Sequence, residues 1–255
     1  MKETVAGING VTEMLKAKRR KIYRIFIQEG KKGSKVDELV KLATGCQIPV
    51  QRMDKKDMDR MYPAKNHQGV VAEVEPYKYS SLEEVLEYAR GKGEEPFLVL
   101  LDGIEDPQNM GAIVRTALCA GVHGVVIPKH HAVEVTDAVV RASAGAVEYM
   151  HIIKTTNLVG FIKELKACGF WIIGADAEGK EDYFALSFPS PVAVVVGSEG
   201  DGMRRLVKEN CDFLVKIPMQ GEINSLNASV AAALIIYEVV RQRWTKKDEL
   251  VNGEK

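Results

Sequence analysis

The C-terminal two-thirds of the chain alternates between short apolar runs and helical patterns. The runs that predict strands are FLVLLDGI, GVVIPK, MHIIKTT, FWIIGADA, PVAVVVGSEG and DFLVKIPM. Helical periodicity lies between most of them, as in MGAIVRTALCAG, DAVVRASAGAV, LVGFIKELKACG and MRRLVKEN. Strands that are apolar on both faces are typical of parallel sheets covered by helices on two sides. The pattern therefore predicts an α/β domain with a mostly parallel sheet over residues 96–255.

The first 78 residues alternate on a shorter scale. Strand-like segments are KIYRIFIQEG, IPVQRM and QGVVAEVEPYKY, and helical ones are GVTEMLKAK, KVDELVKLATG and DKKDMDRMY. We expect a small α/β domain with its own core over residues 1–78. The polar stretch 79–95, which ends in GKGEEP, predicts a linker that contains one short amphipathic helix.

Composition narrows the class of protein. The chain has 255 residues, of which 46% are hydrophobic, so its apolar content is ample for two cores. It lacks the run of about 18 apolar residues that a membrane span needs, and its N-terminus does not have the layout of a signal peptide. The four cysteines form no C-x-x-C pair, which predicts reduced thiols, a cytoplasmic location and neither a disulfide framework nor a zinc site.

Charge is unevenly distributed although the formal net charge is zero. Residues 1–78 carry 17 Lys and Arg against 10 Asp and Glu, and the remainder carries 18 against 25. Such asymmetry indicates that the N-terminal part meets a polyanion. The sharpest basic run, KAKRRK, makes Lys18, Arg19, Arg20 and Lys21 candidate RNA-binding residues, and its alternative interpretation is a solvated helix face.

Three unusual polar clusters follow apolar runs. They are DPQNMGAIVR after FLVLLDGI, GSEGDGM after PVAVVV, and IPMQGEINSLN after DFLVK. Ligands of open α/β sheets bind beyond the carboxyl ends of the strands, so one crevice could gather all three clusters. Neither the G-x-G-x-x-G fingerprint nor a phosphate-binding P-loop is present, which disfavours a nucleotide-dependent dehydrogenase.

Each cluster also has a purely structural interpretation. Glu199 would favour the N-terminus of the following helix. Asp106 or Asn109 would cap a helix, and Arg115 would form a surface ion pair. Asn224 or Ser225 would cap the apolar helix that starts nearby. A cap explains one polar residue but not three at the entrance of a helix that is apolar on nearly all sides and therefore buried, in part against a second subunit.

The histidines give a weaker signal. His130 and His131 follow GVVIPK at the same predicted sheet end, where they either contact phosphate or belong to the loop. His67, His123 and His151 have no metal-ligand spacing, and we predict no metal site.

Taken in order, the three clusters resemble motifs 1, 2 and 3 of the SpoU/TrmH (SPOUT) family. The matching segments are NMGAIVR, VVVGSEGDGM and IPMQGEINSLNASVAAALIIYE, within roughly residues 96–244. Members of this family are S-adenosylmethionine-dependent RNA ribose 2′-O-methyltransferases. The first 78 residues, with GINGVTEML and NHQGVVAEV, resemble the family's L30e-like substrate-binding domain. The combination is most similar to the bacterial enzymes that methylate a guanosine ribose of 23S rRNA.

The resemblance implies a fold and an assembly. The C-terminal segment of the parallel sheet would be threaded into a deep trefoil knot, a rare exception to the rule against knots. The protein would be a homodimer with its active site at the subunit interface. S-Adenosylmethionine would contact mainly backbone groups at Gly197, Ile217, Met219 and Leu226.

The resemblance also implies catalytic roles. Arg115 would lie near the ribose 2′-hydroxyl, with Asn109 and Glu199 holding it and the ribose in place. Ser225 and Asn227 would complete the polar wall of the site. The partner would be RNA and not DNA. Methylation of tRNA, methylation of another rRNA nucleotide and a non-catalytic role in ribosome assembly are the alternatives to a 23S rRNA guanosine.

Overall fold

The protein divides into two compact units. The computed structural model describes residues 2–64, 66–222 and 224–252. The first unit comprises Met1–Lys78 and Val135–Tyr149, and the second comprises Tyr79–Glu134 and Met150–Lys255.

The described helices and strands follow the predicted alternation. The strands are β1 (Glu3–Ala6), β2 (Ile22–Gln28), β3 (Val50–Met53), β4 (Val70–Val74), β5 (Phe97–Asp102), β6 (Gly124–Pro128), β7 (Ile152–Thr155), β8 (Trp171–Ala175), β9 (Glu181–Asp182), β10 (Val192–Gly197) and β11 (Phe213–Lys216). The helices are α1 (Ile8–Ala17), α2 (Ser34–Gly45), α3 (Lys55–Met61), α4 (Leu82–Gly91), α5 (Pro107–Cys119), α6 (Asp137–Ala142), α7 (Leu158–Ala167), α8 (Arg205–Glu209) and α9 (Ala228–Asn252), with a short 3₁₀ helix at Ala146–Glu148.

The first unit is built on a mixed sheet with the strand order β1-β4-β2-β3. Strand β4 pairs antiparallel with β1 and β2, and β2 pairs parallel with β3. Residues 135–149, which the sequence analysis assigned to the C-terminal domain, group with the N-terminal unit in the structure. The backbone N–H of Ala6 donates to Asp137 Oδ1 at 2.6 Å. A Cβ placed on Gly10 would lie 2.8 Å from the Val140 side chain, so α1 and α6 approach closely.

Arg20 is part of the interior of this unit. Its side chain is 3% exposed and forms ion pairs with Glu148 at 3.0 Å and Glu3 at 2.9 Å. Its Nε and Nη2 also donate to the carbonyl oxygen of Glu75 at 3.0 and 2.8 Å. The prediction that Arg20 binds RNA was therefore wrong, since its guanidinium is buried and committed to protein acceptors.

The other members of the basic run are exposed. Helix α1 ends at Ala17, so the run lies in the connection to β2 and not on a helix face. Lys18 and Lys21 are exposed, and the Lys21 ammonium lies 5.3 Å from the centroid of the Tyr23 ring. Arg19 is exposed as well, and its Nη1 donates to the carbonyl oxygen of Tyr149 at 2.8 Å.

The second unit confirms the predicted parallel sheet. Its described strands are all parallel, in the order β7-β6-β5-β10-β8-β11-β9. On one face, α4, α7 and α8 pack on a cluster that includes Leu98, Leu100 and Val195. Val99 and Val194, on the alternate positions of the same strands, are also fully buried. Helix α9 packs on β10, β8 and α5, so that helices cover both faces, as apolar strands require.

Helix α4 corrects the predicted linker. Ser81 caps the helix in a reciprocal capping box with Glu84. Leu82 and Val85 are buried in the core of the second unit, so residues 79–95 belong to that unit. Among the described residues, no helix combines the length and the apolar character needed to cross a lipid bilayer. The threaded knot stays a prediction from the resemblance.

Candidate functional site

Two neighbouring strands and the last helix bring the motif residues together. Strands β5 and β10 pair side by side, and their last residues, Asp102 and Gly197, stand in register. Glu199 lies in the turn after β10, and Asn109 lies in the first turn of α5, the helix that follows β5. Helix α9 packs against α5, which brings Asn227, just before the first residue of α9, to the same edge.

Three side chains from the three motifs form one hydrogen-bonded cluster. Asn109 Nδ2 donates to Glu199 Oε1 at 3.1 Å, and Asn227 Nδ2 donates to Asn109 Oδ1 at 2.9 Å. Asn227 Nδ2 also donates to Glu199 Oε1. The backbone N–H of Ala228 lies 3.3 Å from the same carboxylate oxygen, so Glu199 sits at the positive end of α9. The sequence-predicted Asn109, Glu199 and Asn227 thus meet in one place.

The structure decides between the candidate helix caps at α5 and replaces those at α9. Asp106 caps α5 by accepting hydrogen bonds from the N–H groups of Gln108 and Asn109, both at 3.2 Å. The Asn109 side chain is therefore free of a capping role. At α9 the capping residue is Asn227, whose Oδ1 accepts from the Ser229 N–H at 2.9 Å and from Ser229 Oγ at 2.5 Å. The expectation that Asn224 or Ser225 caps this helix was wrong.

Gly197 is required by the turn that follows β10. A Cβ on this residue would lie 2.2 Å from the carbonyl carbon of Gly202 and 2.3 Å from the Met203 nitrogen. The turn folds back because Ser198 and Gly202 exchange two backbone hydrogen bonds, both of 3.1 Å. Any larger residue at Gly197 would displace the turn and with it Glu199.

Asp102 and Arg204 form an ion pair that was not among the residues predicted from the sequence. Asp102 is 1% exposed at the end of β5. Its carboxylate accepts the Arg204 backbone N–H at 2.7 Å and Arg204 Nε at 2.6 Å. An aspartate that ends an all-apolar strand was the available signal, because a buried carboxylate needs a charged or hydrogen-bonding partner. The pair borders a cavity of about 450 Å³ that Asn109 and Glu199 also line.

Arg115 and Ser225 lie outside the hydrogen-bonded cluster. Both are exposed, and within the described part of the chain neither side chain forms a hydrogen bond or ion pair. Arg115 is on α5, six residues beyond Asn109. Its guanidinium is therefore available to a ligand, and its role stays a prediction.

The segment between β11 and α9 has the properties of a surface that binds a ligand through its backbone. Met219 and Leu226 are each 37% exposed, although their side chains are apolar. Ile217 is partly buried at the start of the segment. Among the described residues, the backbone N–H groups of these three positions form no hydrogen bond with another backbone group. Unpaired backbone groups beside apolar side chains fit a ligand that has both an aromatic base and polar edges.

The described residues contain no group of three or more His, Cys, Asp or Glu side chains that could hold a metal ion.

Two family models match the chain. The model of the SpoU rRNA Methylase family matches residues 96–237. The model described as RNA 2′-O ribose methyltransferase substrate binding matches residues 4–80.

Named relatives and solved structures agree with these matches. A protein from Bacillus subtilis named as a TrmH family tRNA/rRNA methyltransferase, YacO, is 45% identical over 94% of this chain and 95% of its own length. The SpoU methyltransferase AviRb of Streptomyces viridochromogenes, solved in complex with AdoMet, superposes with a TM-score of 0.78 at 26% identity, over 96% of this chain and 91% of that one. An AdoMet-bound rRNA methyltransferase from Sinorhizobium meliloti superposes with a TM-score of 0.76 at 25% identity, over 94% and 87% of the two chains.

Proposed function

The chain belongs to the SpoU rRNA methylase family of S-adenosylmethionine-dependent RNA methyltransferases, and we propose that it methylates a ribose 2′-hydroxyl, with a guanosine of 23S rRNA as its target. The observation that carries the proposal is the cluster of Asn109, Glu199 and Asn227. Three segments that are far apart in sequence supply one carboxylate and two amides to a single crevice edge. This is the arrangement that an enzyme needs to hold a neutral, hydrogen-bonding group such as a ribose in a fixed orientation.

The side chains can be given roles from their chemistry. Methyl transfer from a sulfonium to a hydroxyl is an in-line displacement, in which positioning provides most of the acceleration. The hydroxyl must lose its proton as it attacks, and water or a neighbouring phosphate oxygen of the RNA takes that proton. A guanidinium stays protonated, so Arg115 stabilises the developing alkoxide and does not act as the base. Glu199 Oε1 accepts three hydrogen bonds, which hold the carboxylate in place. Its second oxygen is left to bind the ribose or Arg115.

The cofactor surface is the segment between β11 and α9. We assign S-adenosylmethionine to Ile217, Met219 and Leu226, together with the turn at Gly197. When bound, the cofactor supplies the methyl group as an electrophile. The unpaired backbone groups of these residues suit the edges of an adenine, and their exposed apolar side chains suit its faces. Gly197 contributes by letting the turn fold close to β10.

The choice of rRNA rests on the N-terminal unit. Residues 4–80 match a substrate-binding model, and the Sinorhizobium meliloti structure that matches along both units is named an rRNA methyltransferase. Seven excess positive charges in residues 1–78 would attract a structured polyanion. Methylation of tRNA is the second candidate, because the name of the Bacillus subtilis relative includes both tRNA and rRNA.

Labelled S-adenosylmethionine tests the proposal directly. We expect the purified protein to transfer label to unmodified 23S rRNA, and digestion to nucleosides to recover it as a 2′-O-methylguanosine. Transcribed tRNA and 16S rRNA serve as matched substrates. Label on a base would overturn the ribose assignment, and label only on tRNA would replace the rRNA assignment.

We propose that Lys18 and Lys21 bind RNA phosphates. The double variant Lys18→Asn/Lys21→Ala should weaken RNA binding and lower the slope of log affinity against log salt by about 1 to 2, since each lost phosphate contact removes about 0.7 to 0.9. Asn is used at position 18 because that residue has φ of 54°, which Asn tolerates. Lys41→Ala, an exposed cation on α2, is the control. An unchanged affinity and slope, measured by fluorescence anisotropy, would remove this pair from the RNA interface.

We also propose that the protein is a homodimer that joins through α9. Val230 and Tyr237 are each 46% exposed on this helix, and with Tyr183 and Leu234 they line an apolar cavity of about 450 Å³. Apolar patches of this kind mark association surfaces. Sedimentation equilibrium should give about twice the chain mass of 28.2 kDa, and the chain mass alone would contradict the proposal.

A further inference from the structure

A second cavity at the carboxyl edge of the parallel sheet differs in charge from the one that Glu199 lines. Its volume is about 540 Å³, within the range of about 300 to 1,000 Å³ that is typical of ligand sites. It lies between the loop after β6, the start of α7 and the start of α8. Its polar lining comes mainly from His130, Asn157, Arg204 and Arg205. Among the described residues that line it, none carries a carboxylate.

The first cavity has the opposite character. Asp102, Glu105, Asp106, Glu199 and Asp201 all contribute to its lining. Arg204 borders both cavities and separates the acidic one from the basic one. A phosphate is therefore repelled on one side of Arg204 and attracted on the other.

Arg204 is held in the orientation of an anion receptor. The buried Asp102 accepts its backbone N–H and its Nε, which leaves the two terminal nitrogens without a partner among the described residues. The side chain remains 53% exposed. An arginine that is fixed at Nε and open at its terminal nitrogens loses little side-chain entropy when it binds phosphate through two hydrogen bonds.

Two further nitrogen-bearing side chains, His130 and Arg205, and a helix start complete the lining. His130 is exposed. Among the described residues, Arg205 pairs only with the exposed Glu209, through a 2.8 Å contact. The first-turn residues Leu158 and Val159 of α7 line the same cavity, with Asn157 as the capping residue.

We propose that this basic cavity binds a backbone phosphate of the RNA substrate, with Arg204, Arg205 and His130 as its ligands. The inference rests on the proposed function, because it takes RNA as the substrate. It adds a contact in the second unit, outside the acidic cavity, that would fix the register of the RNA strand relative to Asn109 and Glu199. Phosphate contacts of this kind set position and not sequence preference.

A variant that keeps the net charge of the protein separates the loss of a direct phosphate contact from a weaker long-range attraction between the protein and RNA. Arg205→Ala/Glu209→Ala removes one positive and one negative charge together, so the net charge of the protein is unchanged. We expect its affinity for in vitro transcribed, unmodified 23S rRNA to fall about five- to tenfold, and the slope against log KCl to fall by about 0.7 to 0.9. His130→Ala should weaken binding in the same direction. Arg90→Ala, an exposed arginine at the end of α4, is the control and should change little.

Each outcome decides the proposal. If Arg205→Ala/Glu209→Ala and His130→Ala both bind rRNA with the affinity and slope of the wild type, the proposal is overturned. If inorganic phosphate, added at constant ionic strength, competes with rRNA for the wild type but not for the variants, the proposal is supported. If the wild type binds inorganic phosphate but the variants bind rRNA as tightly as the wild type does, the cavity is a site for a free anion. That result would overturn the RNA assignment. Thermal melts confirm that the variants fold.

The methylation assay on the wild type is read separately. Loss of rRNA affinity in the variants, together with methylation of a base or of tRNA only, would uphold the phosphate site and reject the proposed function. Ribose methylation of rRNA by the wild type, together with unchanged rRNA binding by the variants, would uphold the proposed function and reject the phosphate site.

Discussion

Arg115→Ala is expected to lower kcat for methyl transfer by about 10²- to 10³-fold, the typical cost of removing one group that stabilises developing charge. The side chain is exposed and forms no hydrogen bond or ion pair within the described part of the chain, so its removal breaks no internal contact. We therefore expect the melting temperature to stay unchanged. The affinity for S-adenosylmethionine, measured by calorimetry, should also stay within about twofold, because the proposed cofactor surface lies on other segments.

Two matched variants sharpen this result. Arg115→Lys keeps the charge but lacks the planar fork, so we expect it to recover only a small part of the rate. Arg90→Ala removes an exposed arginine from another helix of the same unit and should leave kcat unchanged. Near wild-type turnover by Arg115→Ala would remove this residue from the mechanism and direct attention to Glu199.

Arg20→Ala is expected to destabilise the first unit by about 3 to 5 kcal/mol, the cost of leaving a buried charge without its partner. The variant leaves Glu148, which is 1% exposed, with one more unpaired oxygen, and it removes two hydrogen bonds to the carbonyl of Glu75. Hydrogen exchange on the full chain measures the effect, because it reports the first unit separately from the second. Lys21→Ala, the exposed neighbour, should cost less than about 0.5 kcal/mol.

The cost of Arg20→Ala should depend on pH. Burial raises the pKa of Glu148, and the nearby Arg20 guanidinium opposes that rise. Without Arg20 the pKa of Glu148 rises further. When the pKa of a group is higher in the folded state than in the unfolded state, the free energy of unfolding of the protein falls as pH rises from the unfolded pKa through the folded pKa. We therefore expect Arg20→Ala to be destabilised less at acidic pH than at alkaline pH.

A double variant checks this explanation. Glu148→Gln removes the buried charge while Arg20 keeps Glu3 and the carbonyl of Glu75. Its cost should be about 1 kcal/mol. Arg20→Ala/Glu148→Gln should be more stable than Arg20→Ala alone at alkaline pH and should lack its pH dependence. Equal destabilisation of Arg20→Ala at all pH values would show that the ion pair is not the cause.

Much of the fold could be predicted from local patterns. An apolar run such as Phe97–Asp102 can be satisfied only between two helical layers, and the structure confirms it as a strand that is buried throughout. The three polar clusters lay at strand ends, and parallel strands place those ends on one edge. The contact between Asn109 and Glu199 could therefore be predicted from the position of each polar cluster directly after a strand.

Other features could not be predicted, because they depend on which surfaces meet. The pattern of residues 137–142 indicates a helix, but nothing local states that it packs on α1 and not on the parallel sheet. Arg20 is the same residue type as its exposed neighbour Arg19, and it becomes a core residue through distant partners that include Glu148, 128 residues away. For the same reason, the capping role of Asn227 could not be separated from that of Ser225.

The alternation of elements, the parallel sheet and the polar residues at its edge could be predicted, because they follow from the spacing of apolar positions and from the direction of the strands. Tertiary contacts set which of the described cations are exposed and which are internal, and they place Arg204 between an acidic cavity and a basic one. Hydrophobic periodicity acts over a few residues, whereas the burial and pairing of a charged side chain depend on partners that can lie more than 100 residues away in the chain.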